Sequence, residues 1–104
     1  MKLVTLTLIL AVPAFAATAP DADLFAKKCA LCHGKDGSGD TPTGKSMKVR
    51  DLRADDVQRQ TDVELTKVIA GGKGKMPAYG KQLSTAQTEA LIAFIRTLHG
   101  AAKK

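Results

Sequence analysis

The chain has 104 residues, room for a single small domain, and carries 16 Lys and Arg against 10 Asp and Glu for a net charge of +6. No Arg-rich run, aromatic stacking series or zinc-finger spacing accompanies that charge, so a nucleic-acid binder is excluded. A basic surface that steers toward acidic protein partners is the better use of it.

The chain opens on Met1-Lys2, a short positive start. An apolar stretch over residues 3–12 and the A-x-A triplet Ala14-Phe15-Ala16 follow. Residues 1–16 are therefore expected to be a secretory signal peptide cut near Ala16-Ala17, with residues 17–104 as the mature, periplasmic or otherwise exported domain. Thr5, Thr7 and Pro13 interrupt the stretch, which falls short of the roughly 20 apolar residues that span a bilayer. No stable membrane insertion is expected after cleavage. Once Phe15 is removed, Phe25, Tyr79 and Phe94 are the only aromatic residues, and the chain has no Trp. So few large side chains cannot fill a core, and a domain this small then needs a disulfide, a metal or a large apolar cofactor at its centre.

Residues 21–31 read as the first helix. Pro20 sets its start, Asp21 and Asp23 favour its N-terminus, and Leu24, Phe25 and Lys28 follow at helical spacing. It runs into Cys29-Ala30-Leu31-Cys32-His33, a C-x-x-C-H sequence and the attachment signature of a c-type haem. Positions i and i+3 share a face of a helical turn, so both sulfurs reach one side of the macrocycle, and His33 is placed to ligate the iron. Residues 34–44, rich in Gly, form a loop. Asp36 and Asp40 lack the alternating ligands of a calcium loop and belong to its turns. Pro42 is positioned to offer its carbonyl to the ring N–H of His33.

Residues 46–60 carry Val49, Leu52 and Val57 among alternating charges and predict short helical turns. Thr61-Asp62-Val63-Glu64 is a capping-box pattern opening a helix with Leu65, Val68 and Ile69 on one face, and Gly71-Gly72 ends it. In Gly72-Lys73-Gly74-Lys75-Met76-Pro77, a Met between glycines and a proline is unlike a core filler. Its thioether suits haem iron opposite a His. Tyr79 either lines the pocket or meets a propionate. A second capping box, Ser84-Thr85-Ala86-Gln87, starts a last helix whose Leu91, Phe94, Ile95 and Leu98 form an apolar face. Gly100 ends it before a basic tail. No strand pattern or repeat appears, and the expectation is all-α with three main helices.

The motifs Cys29-Ala30-Leu31-Cys32-His33 with the following G-K-D-G-S-G, G-K-G-K-M-P at 72–77 and L-I-A-F-I-R at 91–96 resemble those of the class I cytochromes c. The resemblance is to small monohaem c-type cytochromes of bacterial and photosynthetic type, and it covers the mature chain in order. It implies one covalent haem c with its iron, thioethers at Cys29 and Cys32, and axial ligands His33 and Met76. It also implies N- and C-terminal helices crossing through Phe25 and Phe94. Asp21 stands where the family often has a small residue. Arg53 and Lys45 are the candidate propionate contacts.

The function expected is a monomeric one-electron carrier whose iron cycles between ferric and ferrous states, with no catalytic residues. Lys27, Lys28, Lys35, Lys73, Lys75 and Lys81 are expected near an exposed haem edge that meets redox protein partners. The competing class is a haem-based sensor or peroxidase-like enzyme with a labile Met, although His99 is the only second imidazole. A zinc site from Cys29, Cys32, His33 and His99, or a dithiol redox pair, is the reading without haem. The same chain could also serve as a subunit of a larger oxidoreductase.

Overall fold

A computed structural model describes residues 2–5, 7 and 18–101. Most of the expected signal peptide and the last residues of the basic tail therefore lie outside the described residues. Six helices follow in order: α1 (Ala22–Lys28), α2 (Ala30–His33), α3 (Pro42–Met47), α4 (Asp55–Gln58), α5 (Asp62–Gly71) and α6 (Thr85–Thr97). The longest three, α1, α5 and α6, are the three main helices read from the sequence. None of the described helices is long and apolar enough to cross a membrane.

Local chemistry explains where these helices begin. Asp21 Oδ1 accepts the Leu24 N–H at 2.9 Å and caps α1, and Thr61 Oγ1 accepts the Glu64 N–H at 3.1 Å at the head of α5. Ser84 and Gln87 exchange both bonds of a capping box at 3.1 and 2.8 Å. Gly72, at φ +75°, ends α5; a side chain there would run into the Met76 carbonyl at 2.7 Å.

Two boundaries differ from the sequence expectation. The first helix does not run unbroken over 21–31: Cys29, at φ −116°, divides it into α1 and α2. The chain still follows a helical path there, because the His33 N–H reaches the Cys29 carbonyl at 2.9 Å. The loop predicted over 34–44 gives way to helix at Pro42. Thr41 caps it by accepting the Gly44 N–H at 2.8 Å, and proline at the first position needs no donor.

The crossing of α1 on α6 forms the centre of the core. Phe25 is 1 % exposed, and its ring centroid lies 4.7 Å from that of Phe94 at a 43° tilt. Asp21, the departure from the family pattern, sits at this crossing and donates its N–H to the Ala90 carbonyl of α6 at 3.2 Å. Leu65 and Ile69 of α5 and Leu91, Ile92 and Ile95 of α6 complete the layer, with Val57 of α4 and Leu52 and Leu83 from the connections.

Two polar side chains tie the irregular 50–60 stretch to α6. Gln58 Nε2 donates to the carbonyls of Leu52 at 2.8 Å and Ile95 at 2.9 Å. Arg96 donates to the carbonyls of Gln58 at 2.8 Å and Gln60 at 2.6 Å, and to Asp62 Oδ1 at 2.8 Å. Arg96→Ala removes charge-assisted bonds and leaves carbonyls without a donor, so a loss of about 2–3 kcal/mol is expected. Denaturant unfolding checks this, and a loss below about 0.5 kcal/mol, the scale of an ordinary surface change, would refute the clamp.

Candidate haem site

A cavity of about 340 Å³ opens between α1, α2, the 47–50 segment, α5, the 73–79 loop and α6. That is a size typical of cofactor sites, which run from about 300 to 1,000 Å³. Phe25, Leu65, Ile69, Leu91 and Ile95 give it apolar walls, and Cys29, Cys32, His33 and Met76 all line it. The four residues singled out in the sequence thus meet at one place.

Each is held by backbone geometry. Cys29 and Cys32 bracket the turn of α2 as free thiols, both half-buried. Burial, with a smaller contribution from Cys32, pushes the Cys29 thiol up to about 11. A thiol so protonated at neutral pH is a poor nucleophile for disulfide exchange, which weighs against the dithiol redox reading. The loop after α2 grips this turn from below. Thr41 Oγ1 donates to the Cys32 carbonyl at 2.8 Å, and the Gly39 N–H donates to the His33 carbonyl at 2.7 Å. Gly44 packs so closely against the Cys32 and Gly39 carbonyls that no side chain fits there.

The His33 ring is oriented by Arg50, not by Pro42: its Nδ1 donates to the Arg50 carbonyl at 3.3 Å. Pro42 is taken up by α3 as its first residue, which is why the expected contact fails. Burial pulls the His33 pKa down, partly opposed by the Arg50 hydrogen bond, so the neutral imidazole is favoured. With Nδ1 donating to a carbonyl, the lone pair of Nε2 is left for a metal.

Met76 rides on a tight turn in which Lys73 and Met76 exchange backbone hydrogen bonds of 3.2 and 2.9 Å. Tyr79 fastens that turn to the body. Its N–H donates to the Ile69 carbonyl at 2.9 Å, and its hydroxyl donates to the Lys28 carbonyl at 3.3 Å. Tyr79 therefore lines the cavity and locks the Met76 turn against the cysteine-bearing segment.

The charged rim is redistributed relative to the sequence expectation. Lys28, Lys73 and Lys75 line the cavity, joined by Lys48 and Arg50, whereas Lys27, Lys35 and Lys81 are exposed away from its wall. Arg53 and Lys45 do not line it either. Arg53 pairs with Asp51 at 3.0 Å and Asp36 at 3.7 Å, and Lys45 pairs with Asp40 at 3.0 Å. Sequence reasoning missed Arg50, Lys48, Gln60 and Met47 on the wall because they lie in the stretch without clear periodicity. His99 Nε2 sits 3.0 Å from Asp55 Oδ1 and is not on the wall. It is thus no fourth zinc ligand for Cys29, Cys32 and His33.

Two thiols three residues apart, a neutral imidazole, a thioether and apolar walls are the donor set and surroundings that a covalently held haem requires, so the residues present fit that group. Such a fold and site define a c-type cytochrome. The family model described as cytochrome c oxidase, cbb3-type, subunit III matches residues 16–95. The chain belongs to this family of c-type cytochromes, as a small class I monohaem member carrying covalent haem c and its iron. Cytochrome c6 of a Synechococcus species is 36% identical over 102 residues, 91% of this chain and 83% of that one. The cbb3-type cytochrome c oxidase subunit FixP of Azorhizobium caulinodans is 33% identical over 76% of this chain, which spans 26% of FixP. Among solved structures, the c-type cytochrome KustC0563 superposes with a TM-score of 0.71 at 23% identity, covering 77% of this chain and 98% of that one. This last likeness confirms the all-α class I fold.

Proposed function

We propose that this electron-transport cytochrome is a one-electron carrier in which Cys29 and Cys32 form the thioethers and His33 and Met76 are the axial ligands. The observation that carries the reading is the convergence of His33, Met76 and both thiols on one apolar cavity. When bound, the haem supplies an iron centre that gains and loses a single electron. The chain's own residues do the rest. His33 is held in its ligating tautomer by the Arg50 carbonyl, and Met76 is held by the Lys73 turn and Tyr79. The apolar walls restrict water. A neutral thioether ligand and burial favour the ferrous form and raise the potential. A sensor or peroxidase-like enzyme would need an acid–base group beside the iron, and among the described residues the wall carries no carboxylate and no second imidazole.

The optical spectrum of the haem-loaded protein tests this. A sharp low-spin reduced spectrum, an iron–methionine charge-transfer band and indifference to carbon monoxide are expected. A high-spin spectrum that shifts with carbon monoxide would transfer the argument to the sensor class.

Lys28, Lys48, Arg50, Lys73 and Lys75 around the opening support docking to acidic redox proteins. Electron transfer to such a partner is expected to slow as salt rises past about 0.1 M, where the screening length is about 10 Å. Stopped-flow rates indifferent to salt would remove the steering. The reading includes export, with residues 1–16 removed as a leader near Ala16-Ala17. FixP and the quinone-dependent alcohol dehydrogenase cytochrome c subunit of Gluconacetobacter polyoxogenes are named as subunits. The corresponding second reading is a carrier that serves within a larger oxidoreductase.

A further inference from the structure

An axial imidazole is a stronger donor to iron when its other ring nitrogen gives its proton to a fixed acceptor. For His33 that acceptor is the Arg50 carbonyl, 3.3 Å from Nδ1 and 17 positions along the chain. The contact is at the long end of hydrogen-bonding distance, so a small retreat of the segment carrying the carbonyl would break it. What presses residues 49–53 against the loop that follows His33 therefore bears on the ligand.

Part of the answer is backbone. The Leu52 N–H donates to the Gly37 carbonyl at 2.8 Å. Gly39, whose N–H binds the His33 carbonyl, lies so near that a side chain on it would meet the Val49 carbonyl at 3.2 Å. The rest is a clasp of charged side chains. Arg53 Nε and Nη2 donate to the two oxygens of Asp51 at 3.0 and 3.1 Å, and the Arg53 backbone N–H donates to Asp51 Oδ1 at 3.0 Å. Its Nη1 faces Asp36 Oδ2, on the loop after His33, at 3.7 Å. Asp36 is fixed in turn by Ser38, whose N–H and hydroxyl donate to Oδ1 at 3.0 and 2.8 Å. The hydrogen bonds from Arg53 hold the Asp51 carboxyl below the usual carboxylate range, and those from Ser38 do the same for Asp36. The Arg53 side chain is 20 % exposed, against 73 % for Lys45 in its pair with Asp40. This clasp is therefore better sheltered than an ordinary surface pair.

We propose that Arg53 is a positioning residue for the axial imidazole: by bridging Asp51 to Asp36 it holds the 49–52 segment on the loop and keeps the Arg50 carbonyl at His33. The proposal rests on the haem-carrier reading above, in which His33 ligates the iron. Arg53 then acts on the redox centre without lining the cavity. Its planar fork is what the role requires, because a lysine keeps the charge but cannot engage both oxygens of Asp51 while facing Asp36. With the clasp loosened, His33 becomes the weaker donor, which favours ferrous iron and raises the potential.

The test follows the His33 Nδ1 proton by nitrogen-15 NMR in the reduced, haem-loaded protein, together with the reduction potential of the same samples. Arg53→Lys is expected to speed exchange of that proton with water by about threefold or more. It is also expected to shift the ferric–ferrous equilibrium about threefold toward ferrous iron, roughly 30 mV upward for one electron. Lys45→Gln breaks the exposed pair with Asp40 and is expected to leave the exchange rate unchanged. An exchange rate unmoved in Arg53→Lys, or moved equally by Lys45→Gln, overturns the proposal, and so does a potential that stays or falls in Arg53→Lys. If Arg53→Lys fails to load haem, Asp36→Asn removes only the outer half of the clasp and leaves an oxygen for the Ser38 bonds. Faster exchange is again expected there, and an unchanged rate overturns the proposal. The iron–methionine charge-transfer band of the parent protein separates the two readings: its absence overturns the carrier, whereas its presence with unmoved exchange overturns only the clasp.

Discussion

Met76→Ala is expected to turn the low-spin haem into a high-spin centre that binds carbon monoxide when reduced, and to abolish the charge-transfer band. Removing a thioether that favours ferrous iron is also expected to lower the reduction potential by on the order of 0.1–0.3 V, well within the roughly 0.8 V over which axial ligands move haem potentials. The structure supplies an internal control, because Met47 also lines the cavity. Met47 closes α3 beside the segment that bonds His33, whereas Met76 is presented on a separate turn. Met47→Ala is therefore expected to leave the charge-transfer band in place. Spectra of the two variants decide the matter: a Met76→Ala protein that keeps the band while Met47→Ala loses it would exchange the roles of the two methionines.

Phe25→Ala is expected to produce the largest loss of stability in the molecule. The ring is 1 % exposed, stacks at a tilt on Phe94 and also lines the haem cavity. Removing a buried phenyl ring costs about 3–5 kcal/mol through lost burial and the void left behind. Small domains are stable by about 5–15 kcal/mol in all, so the change removes a large share. In a chain this short the melting temperature should fall by more than about 10 °C. Phe25→Leu keeps most of the volume and is expected to cost much less. Thermal unfolding of both haem-loaded variants measures this. Equal melting temperatures for Phe25→Ala and the parent would mean that the α1–α6 crossing is not the centre of the core.

The four residues that meet at the cavity could be singled out before any coordinates because their signals are local. Cys29, Cys32 and His33 are adjacent in the chain, and Met76 is marked by the glycines and proline around it. The helices with caps were equally legible: Thr61 and Ser84 each satisfy an N–H three residues on, a contact set within one turn. The errors fell where local signals compete. Cys29 and Pro42 each lie at a junction between turn and helix. There the Thr41 cap decided the start of α3, and with it the loss of the Pro42 contact to His33. Short helical turns were legible in 46–60, but not where the stretch packs, because its contacts are long-range: Gln58 and Arg96 fix it by bonds to residues more than thirty positions away.

What the sequence determined alone is the family, the haem attachment signature, the helical class and the Phe25–Phe94 crossing. Motif spacing, helix caps and apolar periodicity depend on neighbours a few residues apart. The tertiary structure decided which carbonyl orients His33, which of the many lysines reach the cavity, and that Lys48, Arg50 and Gln60 line it. The physical reason is that these relations depend on how distant segments close around a common space. No window of the chain contains the carbonyl of Arg50, the ring of His33 and the guanidinium partner Asp56 in an order that a spacing rule could read.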